Sequence, residues 1–119
     1  MINLLLLLAT AQAADIYDVC AIKRQRWSDR YQNFKTEQVE TFYTYERPRF
    51  IVYENSFEID RDPRPIIETT NKKGMTCWRE HSNSEVCYDK DRSLLLWEWN
   101  TRAGATLRDV MTICGKNGE

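Results

Sequence analysis

Residues 75–114 read MTCWREH-SNS-EVCY-DKDR-SLLLWEW-NTRAG-ATLRDVMTIC. Apolar and aromatic runs alternate with clusters of Ser, Asn, Asp, Lys, Arg and Gly. Such clusters tolerate or pre-form turn geometry. Met75–His81 leads through Ser82-Asn83-Ser84 into Glu85–Tyr88. Asp89-Lys90-Asp91-Arg92 turns into Ser93–Trp99, and Asn100–Gly104 turns into Ala105–Cys114. Strands joined in this way form an antiparallel meander, and the rest of the chain has to cover it.

Working back towards the start, Asn71-Lys72-Lys73-Gly74 is a turn and Pro65–Thr70 a short strand. Asp60–Pro65 holds two prolines, so it is a loop or an edge strand. Arg49–Glu54 and Phe57–Asp60 are strands separated by Asn55-Ser56. Gln38–Tyr45 alternates well, with Val39, Thr41, Tyr43 and Tyr45 on one face. Asp15–Lys23 is the first strand, with Ile16, Asp18, Cys20 and Ile22 on one side and Tyr17, Val19 and Ala21 on the other. Its alternation is imperfect, because Asp18 falls on the Cys20 side. Between these strands, Trp27, Tyr31 and Phe34 recur at i, i+4, i+7 within Arg24–Lys35. That spacing predicts a short amphipathic helix started by Ser28-Asp29 and laid over an open end of the sheet. The alternative is a basic-aromatic patch for an anionic or nucleic-acid ligand. The sum is an all-β domain: a small antiparallel barrel or sandwich of about eight short strands with at most one short helix.

Residues 1–13 are expected to be a signal peptide. Five leucines follow Met1-Ile2-Asn3, and Ala11-Gln12-Ala13 is a small-x-small cleavage motif. The apolar run is far short of the roughly 20 residues of a spanning helix, so no membrane span is expected after cleavage. Residues 14–119 then form a single β domain in a secreted or periplasmic setting. Four cysteines in that setting imply two disulfides, with three possible pairings. Cys77 and Cys87 flank the 82–84 turn symmetrically, so we expect Cys77–Cys87, leaving Cys20–Cys114 to tie the ends together.

Catalytic signals are poor. His81 is the single histidine and stands at a hairpin tip beside Glu80. A His-carboxylate pair can act as a general base, but no nucleophile stands in a recognisable setting. Cys20 to Arg26 has the cysteine-to-arginine spacing of phosphatase loops without their glycines, and its cysteine is expected to be oxidised. One histidine and widely spaced cysteines do not make a zinc site. We therefore expect no catalytic residue, metal or cofactor. Seventeen basic residues against 18 acidic ones argue against nucleic acid as the main partner.

The binding candidates are aromatic: Trp97, Trp99, Trp27 and Tyr31. Leu95, Trp97 and Trp99 project from one strand face, with Glu98 on the other. Either the two rings are core, following Leu95, or they line a cavity and stack on a ligand such as a sugar. In layout the chain is similar to the small periplasmic inhibitors of c-type lysozyme. The match rests on a cysteine near each end and on Trp97-Glu98-Trp99 ahead of Gly104-Ala105-Thr106-Leu107 and Cys114. It covers the last quarter, and the inhibitors' Ser-Gly-x-x-Tyr loop has no counterpart, so no functional residue is carried over. The expected function is binding, either as a protein inhibitor or as a small-ligand binder, with an unknown protein or small molecule as partner. The alternatives are a glycan hydrolase with paired carboxylates and an accessory component of an envelope or virion assembly.

Overall fold

The computed structural model describes residues 15–81 and 83–116, so the expected leader at 1–13 lies outside the described residues. Among the described residues ten strands form one antiparallel sheet: β1 Asp15–Ser28, β2 Asn33–Thr41, β3 Arg49–Val52, β4 Ser56–Ile59, β5 Asp62–Pro65, β6 Glu68–Lys72, β7 Met75–His81, β8 Ser84–Asp89, β9 Leu94–Asn100 and β10 Thr106–Lys116. Their order is β5-β4-β3-β1-β10-β9-β8-β7-β6, and β2 pairs with β1 off this path. The all-β expectation holds, as does the meander over 75–114. The count exceeds eight in part because the proline segment 60–65, expected as a loop or an edge, forms an edge strand of its own, β5, and the expected 65–70 strand begins only at Glu68 as β6. β5 carries Pro63 and Pro65 on an edge, where a missing N–H does no harm.

The order explains the curl. β5 and β6 end opposite edges of the sheet, yet two residues join them. Such a link reaches about 10 Å at most, so the edges must meet. They meet without a ladder. Arg64 of β5 pairs with Glu80 of β7, one strand in from β6, at 2.5 Å, while Ile67 extends the β6–β7 ladder by donating its N–H to the Arg79 carbonyl at 2.7 Å. The result is a half-barrel with a seam.

Tyr17, Val19, Phe50, Val52, Phe57, Trp78, Val86, Leu95 and Met111 fill the concave side. Tyr17 lies at its centre, 4.9 Å from the Tyr88 ring and 6.2 Å from Phe50. The awkward alternation of β1 has a physical cause. A bulge at Val19–Ala21 shifts the register against β10. The extra residue flips parity, so Tyr17 and Val19 share the concave face with Ile22 and Arg24.

The expected helix over 24–35 is absent. β1 runs on to Ser28 and reverses at residues 29–32 into β2. Trp27 and Phe34 are cross-strand partners, their rings packed edge to face at 5.2 Å. Their seven-residue spacing is that of two positions flanking a hairpin turn, and it mimics a helical period. The capping signal is nonetheless real: Ser28 Oγ accepts the Tyr31 N–H at 3.3 Å. The turn simply does not propagate, since Gln32 takes a left-handed φ of 53°. The Gln38–Tyr45 strand likewise stops at Thr41, and Thr44–Glu46 makes a single 3-10 turn.

Both expected disulfides form, Cys20–Cys114 between β1 and β10 and Cys77–Cys87 between β7 and β8. Among the described residues no helix is long and apolar enough to cross a membrane. Cys20–Cys114 closes a separation of 94 residues and Cys77–Cys87 one of 10. In the chain-entropy view these contribute about 4–5 and roughly 3 kcal/mol. Replacing Cys20 and Cys114 with Ala should therefore lower the thermal midpoint more than replacing Cys77 and Cys87. Melts of the two double variants check this, and the reverse ranking would refute it.

The Tyr17 phenol is pushed well above its ordinary value, chiefly by burial, then by the Asp15 carboxylate, by Tyr88 and by a hydrogen bond to Asp15. Its stabilising contribution is therefore complete below about pH 10 and is lost as pH rises towards the folded value. We expect alkaline unfolding in which the phenolate absorbance of Tyr17 appears together with loss of structure. Tyr17→Phe should weaken that dependence. Reversible ionisation of Tyr17 near pH 10 in a still-folded protein would contradict it.

Candidate functional site: an aromatic cleft at the concave end

Register builds the site. Thr69, Trp78, Val86, Trp97, Asp109, Arg24 and Gln38 form one row on the concave face across seven strands. Trp78, Val86 and Trp97 make its apolar middle, and the charged pair Asp109 and Arg24 follows. The next row outward is His81, Ser84, Trp99, Leu107, Arg26 and Lys35. The concave face is therefore a packed core at one end and a polar-aromatic shelf at the other.

Two buried carboxylates organise the shelf. Asp109 is 5% exposed and takes a bidentate pair from Arg24 at 2.8 and 2.9 Å. Glu80 is 6% exposed. One of its oxygens meets Arg64, and the other accepts the Ser84 hydroxyl at 2.9 Å. Ser84 Oγ in turn accepts the Trp97 indole N–H at 2.9 Å. The hydrogen bond to its carboxylate raises each guanidinium above its ordinary value, Arg24 through Asp109 and Arg64 through Glu80. A buried carboxylate is tolerated only when paired and hydrogen-bonded, and both are.

The two tryptophans lie between these anchors. Their rings are 5.3 Å apart and tilted by 50°. The Arg64 guanidinium sits 5.6 Å from the Trp97 ring, and that of Arg24 5.0 Å from Trp99. Both rings are half-buried. Trp97 packs against the core, whereas Trp99 lies outside that cluster. Together with Arg64, Glu80, His81, Ser84 and Asn100 they line a cleft of about 360 Å³. Beyond Arg24 a second hollow continues along the same face, lined by Ile22, Gln38, Glu40 and Asp109. The two expectations for this pair thus divide: Trp97 has one side in the core, and both rings line the cleft.

Trp27 and Tyr31 are not brought to this cleft. Trp27 and Phe34 lie on the convex face, where Arg108 covers Phe34 at 3.9 Å. Burial pushes the Arg108 guanidinium below its ordinary value. Tyr31 is exposed at the β1–β2 turn, with the Lys35 ammonium 4.1 Å from its ring. Glu98 faces outward on the convex side, as alternation requires, directly opposite Glu85. Lys72 holds Glu85 at 2.9 Å. His81 stands 3.7 Å from Glu80 at the cleft margin. Cys77, Cys87 and Glu85 cluster closely, but both sulfurs are in a disulfide and have no thiolate for a metal.

The sequence reading missed Arg24, Arg64, Glu80 and Asp109 as site residues. Asp109 did carry a signal. It shares strand parity with Leu107 and Met111, and a charge on an apolar face demands a partner. That partner is 85 residues away, which local pattern cannot reach. No protein-family model, curated protein or solved structure matches the chain.

The anchoring role and the lining role separate by mutation. Trp97→Ala removes a half-core ring and strips Ser84 of its donor, and should cost about 2–4 kcal/mol. Trp99→Ala should cost roughly 1 kcal/mol. Denaturant melts of both variants check this, and equal losses would contradict the division.

Proposed function

We propose that the protein is a secreted or periplasmic binding domain. Its concave shelf takes a small polar ligand that lies against Trp97 and Trp99. One observation carries the reading: two tilted indoles line an open cleft whose margin is set with Arg64, His81 and Asn100. Apolar rings with a few convergent polar groups are the usual make-up of a small-ligand site. A saccharide suits it, since its C–H face packs on a ring and its hydroxyls meet the polar margin. Binding is favoured over catalysis because Glu80 and Asp109 are committed to Arg64 and Arg24. The two disulfides are consistent with an extracellular location.

A glycan hydrolase is the second reading, and it too rests on one observation. Glu85 and Glu98 stand directly opposite on neighbouring strands. Lys72 already occupies Glu85, and the pair sits on the convex face in a hollow of about 170 Å³.

Tryptophan fluorescence titrated with neutral N-acetylglucosamine oligomers tests the proposal. We expect a saturable emission change that Trp99→Ala abolishes while leaving the melt nearly unchanged. A flat titration, or an undiminished response in Trp99→Ala, would remove the concave shelf as a saccharide site. Loss of oligomer length over time, abolished by Glu98→Gln, would favour the hydrolase.

A further inference from the structure

A second, larger cleft lies on the opposite face of the sheet. It occupies about 510 Å³ over β1, β3 and β4. Its origin is the β1 bulge. β2 leaves β1 at Thr41 and β3 joins at Arg49, so the bulged residues lose their neighbour on that side. The connecting loop fills the gap. Phe42 donates its N–H to the Cys20 carbonyl at 3.0 Å, and the Val19 N–H meets the Pro48 carbonyl at 2.9 Å. The loop is thereby pinned at both ends, with Tyr45 and Arg47 turned along the cleft wall.

Three arginines, Arg47, Arg49 and Arg61, line this one hollow. Arg49 has a carboxylate partner among the described residues, Asp18 at 3.5 Å. Arg47 is different: its Nε is buried without a hydrogen-bond partner. A buried guanidinium nitrogen left unpaired is unfavourable. The same side chain lines the cleft. Arg61 adds a second irregularity. The β4–β5 turn is Asp60-Arg61, with φ of 50° and 71°. A two-residue hairpin of this kind favours Asn-Gly or Asp-Gly. Arginine at the second position is a poor turn residue, and here its side chain borders the same hollow. Strain of this sort gathers where a side chain is needed for something else.

The other groups narrow the ligand. Asp60 and Glu58 line the cleft beside Arg61, and Glu58 raises the Tyr53 phenol above its ordinary value. The lining therefore offers oxyanion donors and carboxylate acceptors side by side, which is not the surface for a bare polyanion. Tyr45 forms part of the wall and is 84% exposed; Tyr43 stacks beside it, 71% exposed, with ring planes within 5° at 5.9 Å. Two parallel rings left in water form an apolar shelf at the mouth.

We propose that this cleft binds a small polyhydroxylated ligand bearing one oxyanion, a carboxylate or a phosphate. Arg47 and Arg61 grip the oxyanion. Asp60 accepts from ligand hydroxyls, and the Tyr45 ring covers one face. Arginine suits this task because its planar fork meets carboxylate or phosphate oxygens two at a time. The site is independent of the tryptophan shelf and stands whether or not that shelf binds anything.

The test is a chemical-shift titration of the full domain with three probes: methyl glucuronide, glucose 6-phosphate and the neutral methyl glucoside. One of the charged probes should give saturable shifts at residues 43–49 and 58–61, and the neutral glucoside none. The charged probe that binds identifies the oxyanion as carboxylate or phosphate. Arg47→Gln and Arg61→Gly should each weaken that binding at least tenfold. Arg61→Gly also keeps the test sound, because glycine suits a φ of 71° and the variant should fold as well as the parent. Trp99→Ala should bind the probe unchanged. Saturable binding by neither charged probe, equal binding of the glucoside, or affinity unaltered in Arg61→Gly would each overturn the proposal.

Discussion

The structure depends on a constraint of chain length. Ile66-Ile67 is all that joins β5 to β6, two strands at opposite edges of the same sheet. No flat sheet of this order can be connected by so short a link. The sheet must curl until the edges touch, and the concave face then becomes an interior. Everything apolar follows from that curl, including the burial of Tyr17 and Phe50 among the other core rings. The seam is not a ladder, so side chains have to hold it. Arg64 of β5 and Glu80 of β7 do so across it, and Glu80, buried there, meets Ser84 and, through it, Trp97. The closure of the fold and the architecture of the tryptophan shelf are one network.

What the sequence disclosed was whatever is local. The 75–114 meander could be read because each of its turns is a short polar cluster between apolar runs. The Cys77–Cys87 bridge could be read because those residues flank one turn. Legibility fails where geometry is non-local or irregular. The bulge at Val19–Ala21 inverts parity within β1, so a strict alternation pattern assigns Ile22 and Arg24 to the wrong face. Trp27 and Phe34 face each other across a hairpin with helical spacing. Of the candidate aromatics, Trp97 and Trp99 could be placed together because one strand carries both. Their separation from Trp27 and Tyr31 required knowing which face of the sheet each occupies. Arg24, Arg64, Glu80 and Asp109 had no readable pairing, since their partners come from other strands.

The two faces of the sheet are organised on different principles. On the concave side a packed core gives way to two hydrogen-bonded carboxylate–arginine pairs. On the convex side one register row, Glu68, Arg79, Glu85, Glu98, Arg108, Gln25 and Thr36, is polar across seven strands. Its members pair sideways, as Arg79 does with Glu68 and Arg108 with Gln25. Glu85 directly opposite Glu98 is the discordant step, since like charges facing across strands are unfavourable. Lys72 on one flank and Arg108 on the other offset it. This seven-stranded row of polar groups keeps the middle of the convex face solvated.

The pairing of β1 with β10 has a consequence in time as well as in space. Synthesis delivers β1 well before its principal partner: Arg24 is made 85 residues ahead of Asp109. The β6–β10 meander needs only neighbouring strands and can assemble as soon as it is complete. β1 cannot find its ladder until then, and it holds β2 and β3 on its other edge. Contacts of such long sequence separation form slowly, because loop closure must precede any reward from pairing. The N-terminal half therefore waits with one long edge of β1 unpaired, a state open to wrong partners. The Cys20–Cys114 bond can close only after that wait, so its formation marks the moment at which the two halves of the sheet have found each other.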